Sequence, residues 1–120
     1  MAETLLFKGV PSNEVNGLRV RLGHNVETLA GTKTLVPQDA QFQLLDCGGS
    51  GRTLVLPAEE ASQGLFFVVK NTSDAAEAIA VTNDAAGAID TIGKNEFCVF
   101  VCDGSSWVSG VGQVAWLPAT

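Results

Sequence analysis

Between Thr53 and Trp107, short apolar runs alternate with clusters of Gly, Asn, Asp and Ser: TLVLP, GLFFVVKN, AIAVTN, AIDTIG and EFCVFVCDGSSW. Runs of roughly four to eight β-branched and aromatic residues, closed by turn formers, read as strands. The spacing leaves little room for a helix. Two of the runs, Leu65–Val69 and Phe97–Cys102, are apolar at every position. A strand that is apolar on both sides is covered on both sides. In a small sandwich one side meets the core, and the other needs a second cover: an N-terminal arm, a C-terminal tail or another subunit.

The flanking sequence extends the pattern. Residues 1–15, with Leu5, Leu6, Phe7 and Val10 ahead of Pro11-Ser12-Asn13, read as an extended arm. Asn16-Gly17 is a turn signal, followed by the alternation Leu18-Arg19-Val20-Arg21-Leu22, and Gly23-His24-Asn25 reads as a second turn. Thr34–Val36 is a short strand stopped by Pro37. Gln41–Asp46 is the next, with Phe42 and Leu44 expected inward. Ala58–Gln63 is the one place for a helical turn, and Asn71–Glu77 reads as a polar hairpin loop. About nine or ten strands result, the density of an all-β, single-domain β-sandwich or jelly-roll-like barrel with an extended N-terminal arm. The expected division is 1–22 for the arm and first hairpin and 23–120 for the sandwich. A faint echo, Thr34-Leu35-Val36-Pro37 against Thr53-Leu54-Val55-Leu56-Pro57, is too short to announce a repeat architecture.

Charge bears on partners. The net charge of −6 argues against nucleic acid, whose phosphates demand a basic face. The balance is uneven: residues 1–35 hold four basic and three acidic groups, 4 − 3 = +1, and residues 36–120 hold three against ten, 3 − 10 = −7. The near-neutral first part suits contact with an acidic partner as well as it suits ordinary surface. No window approaches a membrane span, and no basic lead-in precedes an apolar run as in a secretion signal. Synthesis in a cytoplasm and no membrane partner are expected. Three cysteines, Cys47, Cys98 and Cys102, form no paired framework and read as small buried hydrophobes.

Catalytic chemistry finds few footholds. His24 is the only histidine, so any nucleophilic triad must use it, and no G-x-S-x-G motif accompanies it. His24 with the three cysteines matches the ligand count of a zinc site but not its spacing. Gly48-Gly49-Ser50-Gly51 lacks the lysine of a phosphate loop and precedes a strand. Asn71-Thr72-Ser73 matches a glycosylation acceptor, in a chain without a secretion signal. Trp107 and Trp116 suit core or interface anchoring better than sugar stacking. No cofactor, metal or enzymatic activity is expected.

Residues 52–108 resemble a pattern found in virion surface modules of tailed bacteriophages. It consists of a strand ending in Leu56-Pro57, the Ala/Ser-rich loop Ala58–Gly64, and an apolar strand ending Val68-Val69-Lys70-Asn71. There follow Val81-Thr82, Ile89-Asp90-Thr91-Ile92-Gly93 and the closing Asp103-Gly104-Ser105-Ser106-Trp107. Tail-fibre modules and capsid decoration proteins share this pattern. A chain of 120 residues with no shaft is expected to be of the decoration (cement) kind.

The resemblance implies a non-enzymatic structural protein on the capsid exterior. Its partners would be the major capsid protein and itself, as a homotrimer. Leu5, Leu6, Phe7, Arg19 and Arg21 are the expected capsid contacts, and Phe67, Phe100 and Trp116 the expected subunit contacts. The alternatives are a tail-fibre or spike module that binds a receptor or glycan through Trp107 and Asp103, and a small hydrolase built on His24.

Overall fold

The alternating apolar runs sort into two sheets. The computed structural model describes residues 21–110, and over them nine strands form: β1 His24–Thr28, β2 Lys33–Thr34, β3 Phe42–Asp46, β4 Arg52–Val55, β5 Phe66–Asn71, β6 Ile79–Thr82, β7 Ala88–Ile92, β8 Phe97–Cys102 and β9 Trp107–Gly110. The five-stranded sheet has the order β1-β3-β5-β8-β9 and the four-stranded sheet the order β2-β4-β6-β7. No α-helix occurs among the described residues; Glu59–Ala61 make the expected helical turn, of the 3-10 kind. The molecule is an all-β sandwich.

Its connectivity is not the chain of hairpins that the turn signals suggest. β1, β3 and β5 pair in parallel in one sheet, and β2, β4 and β6 pair in parallel in the other. The chain therefore winds from sheet to sheet, and each new pair of strands stacks on the last. Only then does it reverse, with β7 antiparallel to β6, β8 to β5 and β9 to β8. The strand of the opposite sheet serves as the long crossover that parallel pairing requires. Asn71–Glu77 is accordingly a passage between sheets and not a hairpin loop. The Thr34/Thr53 echo belongs to this winding, but the sheet pairs Thr34 with Val55, two residues on. A shift of two leaves the same side chains inward.

The core lies between the sheets and is formed by Leu29, Leu35, Leu45, Cys47, Leu54, Leu56, Phe67, Val69, Ile79, Val81, Ile92, Cys98, Phe100, Cys102 and Trp107. Two local expectations are corrected. His24 and Asn25 open β1 and are not a turn. Along β3 and the residue that follows it the inward side chains are Gln43, Leu45 and Cys47, so Phe42 and Leu44 point outward. The run QFQLLDC offers both phases. The phase chosen buries Gln43 because its amide is satisfied: Asn25 Nδ2 donates to its Oε1 (2.9 Å), and its Nε2 donates to the Ala40 carbonyl (2.7 Å).

The arm (1–15), the strand Leu18–Val20, and with them Leu5, Leu6, Phe7, Arg19 and Trp116, lie outside the described residues. Arg21 is exposed, ahead of β1.

Candidate functional site

The residues that the phage-like pattern singles out prove to be the joints of the sandwich. Trp107 is buried in the core, stacks at a tilt on Phe67 with ring centroids 5.9 Å apart, and donates its indole N–H to the Pro57 carbonyl at 2.8 Å. The Leu56-Pro57 turn and the closing tryptophan are thus pinned together. Asn71 is wholly buried. Its Nδ2 donates to the carbonyls of Glu77 (2.7 Å) and Ile92 (3.0 Å), and its Oδ1 accepts from the Ser73 N–H (3.0 Å). That side chain ties β5 to the passage that follows it and to β7. A buried amide with its donors so engaged is no acceptor for a glycan. Asp103 closes the last turn by accepting from the Ser105 and Ser106 N–H groups, both at 2.8 Å. These two bonds hold its carboxyl below the usual aspartate range.

The sites considered for chemistry do not assemble. His24 is exposed at the start of β1. The three thiols are free and buried, and each has its own partner: Cys47 Sγ the Ala78 carbonyl, Cys102 Sγ the Glu59 carbonyl, and Cys98 Sγ both the Gly110 carbonyl (3.2 Å) and Asp90 Oδ2 (3.5 Å). Burial, and then the Asp90 carboxylate, push the Cys98 thiol up to about 12, so it is an inert core thiol. Among the described residues no group of His, Cys, Asp and Glu is placed to hold a metal ion, and no pocket opens at the surface.

What the molecule does present is a face. On the outside of the five-stranded sheet the register aligns His24, Phe42, Val68, Val99 and Gly110 in one row. Phe66, Val101 and Val108 make the row on one side, and Val26, Leu44, Lys70 and Phe97 the row on the other. Val26 is 71% exposed, Val108 54% and Val101 42%, and Phe97 and Phe42 are exposed as well. Lys70, exposed, lies toward one end, and the central row carries no carboxylate or ammonium. The outside of the four-stranded sheet is different: Thr34, Thr53, Val55, Ala80, Thr82, Ala88 and Thr91 are small and mostly hydroxylated or methyl-sized. The sandwich has one ordinary wet face and one greasy one. A contiguous apolar patch of this kind is a candidate interaction surface.

No protein-family profile, curated protein or solved structure matches this chain.

The surface itself therefore carries the functional reading. The two strands that are apolar on both sides turn one set of side chains into the core and the other outward, and the outward residues are not those expected at an interface. Phe67 and Phe100 are wholly buried between the sheets and reach no neighbour. Their sequence neighbours Phe66, Val68, Val99 and Val101 point outward. An all-apolar run shows no period from which to read its phase. The patch also gathers Val26, which follows the expected turn Gly23-His24-Asn25, and Phe42, which was expected in the core. Trp107, which the glycan-binding alternative required at the surface, is in the core.

Proposed function

We propose that this chain is a structural protein of a bacteriophage virion, a decoration protein that attaches to the outside of the head and ties capsomers together. The observation that carries the reading is the apolar outer face of the five-stranded sheet on a rigid sandwich whose described surface has no pocket. Such a body is suited to associating with copies of itself and with a larger assembly, and the phage-like pattern of residues 52–108 supports the virion as that assembly. The mechanism is mechanical. Self-association multiplies weak contacts with the shell, and linked contacts bind far more tightly than one alone. The near-neutral first part of the chain, with Leu5, Leu6, Phe7, Arg19 and Arg21, is the proposed shell contact, and the acidic remainder faces solvent.

Co-sedimentation with purified expanded heads tests this. The full chain is expected to pellet with heads in saturable amounts, and a variant lacking residues 1–15 to stay in the supernatant. Failure of the full chain to pellet would overturn the head assignment, and undiminished pelleting of the truncated chain would overturn the role of the arm.

A further inference from the structure

We infer that the Asp103-Gly104 linkage is a site of spontaneous backbone isomerisation that the fold holds shut, so that it reacts only when the last turn opens. Nothing in this depends on what the chain assembles with.

An aspartate followed by glycine is the pairing at which a chain most readily attacks itself, because no Cβ screens the glycine nitrogen. The Gly104 nitrogen loses its proton and bonds to the Asp103 side-chain carbonyl carbon. A carboxyl oxygen leaves as water, and a cyclic imide remains. Water then opens either imide carbonyl. Addition at the Asp103 main-chain carbonyl leaves the chain running through the side chain, with an extra backbone carbon and the same mass. The water lost is regained, and no oxidant or cofactor takes part. Among the described residues Asp103-Gly104 is the only Asp-Gly or Asn-Gly pair.

The turn obstructs each requirement of that step. The Gly104 N–H donates to Cys102 Sγ at 3.4 Å. That thiol is in the core, 1% exposed, and donates in turn to the Glu59 carbonyl at 3.4 Å. An amide proton held this way is released only when the turn opens. The Asp103 side chain is on the exposed side, where its Oδ1 accepts from the Ser105 and Ser106 N–H groups, both at 2.8 Å. Those bonds hold the carboxyl low and therefore ionised at neutral pH, and a carboxylate is a poor electrophile. Rotation is restricted as well. Gly104 sits at φ +94°, where a Cβ would come within 3.2 Å of the Gln63 side chain. The turn is also clamped at both ends: the Cys102 N–H donates to the Leu65 carbonyl (3.0 Å), the Asp103 N–H to the Ser106 carbonyl (3.2 Å) and the Trp107 indole to the Pro57 carbonyl (2.8 Å). An isomerised chain cannot rebuild this turn, because the extra backbone carbon displaces both serine N–H groups from the carboxyl and Trp107 from Pro57. An opening that ends in reaction is therefore one-way, and the isomer records it.

Peptide mapping of the full chain, aged at neutral pH beside a synthetic peptide of residues 99–108, tests this. Isoaspartate at position 103 is expected to accumulate at least about ten-fold more slowly in the folded chain, and the slowing should follow the hydrogen-exchange protection of the Gly104 N–H to within about ten-fold. Asp103→Asn gives a faster readout by the same route: ammonia leaves in place of water, so each event changes the mass, and the side-chain oxygen can still accept from both serines. The folded variant is expected to keep its amide while the matching peptide loses it, and to lose it as urea approaches the unfolding midpoint. Equal rates in chain and peptide would overturn the inference. So would loss of the amide from a folded chain whose Gly104 N–H is protected, or a slow chain whose Gly104 N–H is not. Should Asp103→Asn fail to fold, the wild-type rates and exchange decide the question by themselves.

Discussion

Asn71 carries more of the fold than its size suggests. Three polar groups in different segments, the carbonyls of Glu77 and Ile92 and the Ser73 N–H, are satisfied by its side chain inside the core. Asn71→Ala leaves them unpaired, and each buried orphan costs about 1–3 kcal/mol. A loss of about 3 kcal/mol is expected in a urea titration, with an unchanged slope. Gly48 shows a different constraint. It sits at φ +74°, where a Cβ would come within 2.6 Å of the Leu29 carbonyl oxygen, so the turn that ends β3 admits no side chain there. Both residues are visible in the sequence as turn formers. The role of Asn71 was hidden, because its hydrogen-bond partners lie on segments that meet it only through the winding.

At the scale of the element, β1 and β3 show what alternation can and cannot tell. The strand at 42–46 is legible from its composition. Its phase is not, because Phe42-Leu44 and Gln43-Leu45 are both plausible inward sets and the choice rests on Asn25, a residue of another strand. β1 itself reads as a turn from Gly23-His24-Asn25, and tertiary pairing with β3 overrides that local signal. The pair Glu27–Lys33 joins β1 to β2 and holds the Glu27 carboxyl below its ordinary range, chiefly through the Lys33 hydrogen bond and then that of Asn25. A carboxyl lowered by folding adds stability above its unfolded value. That stability is lost as pH falls through the folded one. The pair is partly exposed, so the effect is small, of the order of half a kcal/mol. The stability of Glu27→Gln is expected to approach that of the wild type as pH drops below about 4. Denaturant midpoints at a series of pH values check this, and a gap that widens in acid would contradict it.

At the scale of the whole molecule, the two greasy strands define both the core and the outer face, and neighbouring phenylalanines on β5 should behave oppositely. Phe67, wholly buried and packed on Trp107, is expected to cost about 3–5 kcal/mol when cut to alanine. Phe66 points outward. Phe66→Ala, at a half-buried position, should cost the isolated chain much less, about 1 kcal/mol, and weaken association instead. Equal destabilisation by both would contradict the assignment of faces. The sequence alone determined that this chain is an all-β sandwich and where most of its strands lie, because the composition of each run and the turn residues between them act locally. It also showed two strands that are apolar on both sides, because their composition leaves no wet side. Tertiary structure alone decided that the strands wind in parallel between two sheets, which residues of each all-apolar run face inward, and which others join them in one open patch. Those properties depend on pairings between residues far apart in the chain, and a shift of one residue in any strand would exchange its two faces.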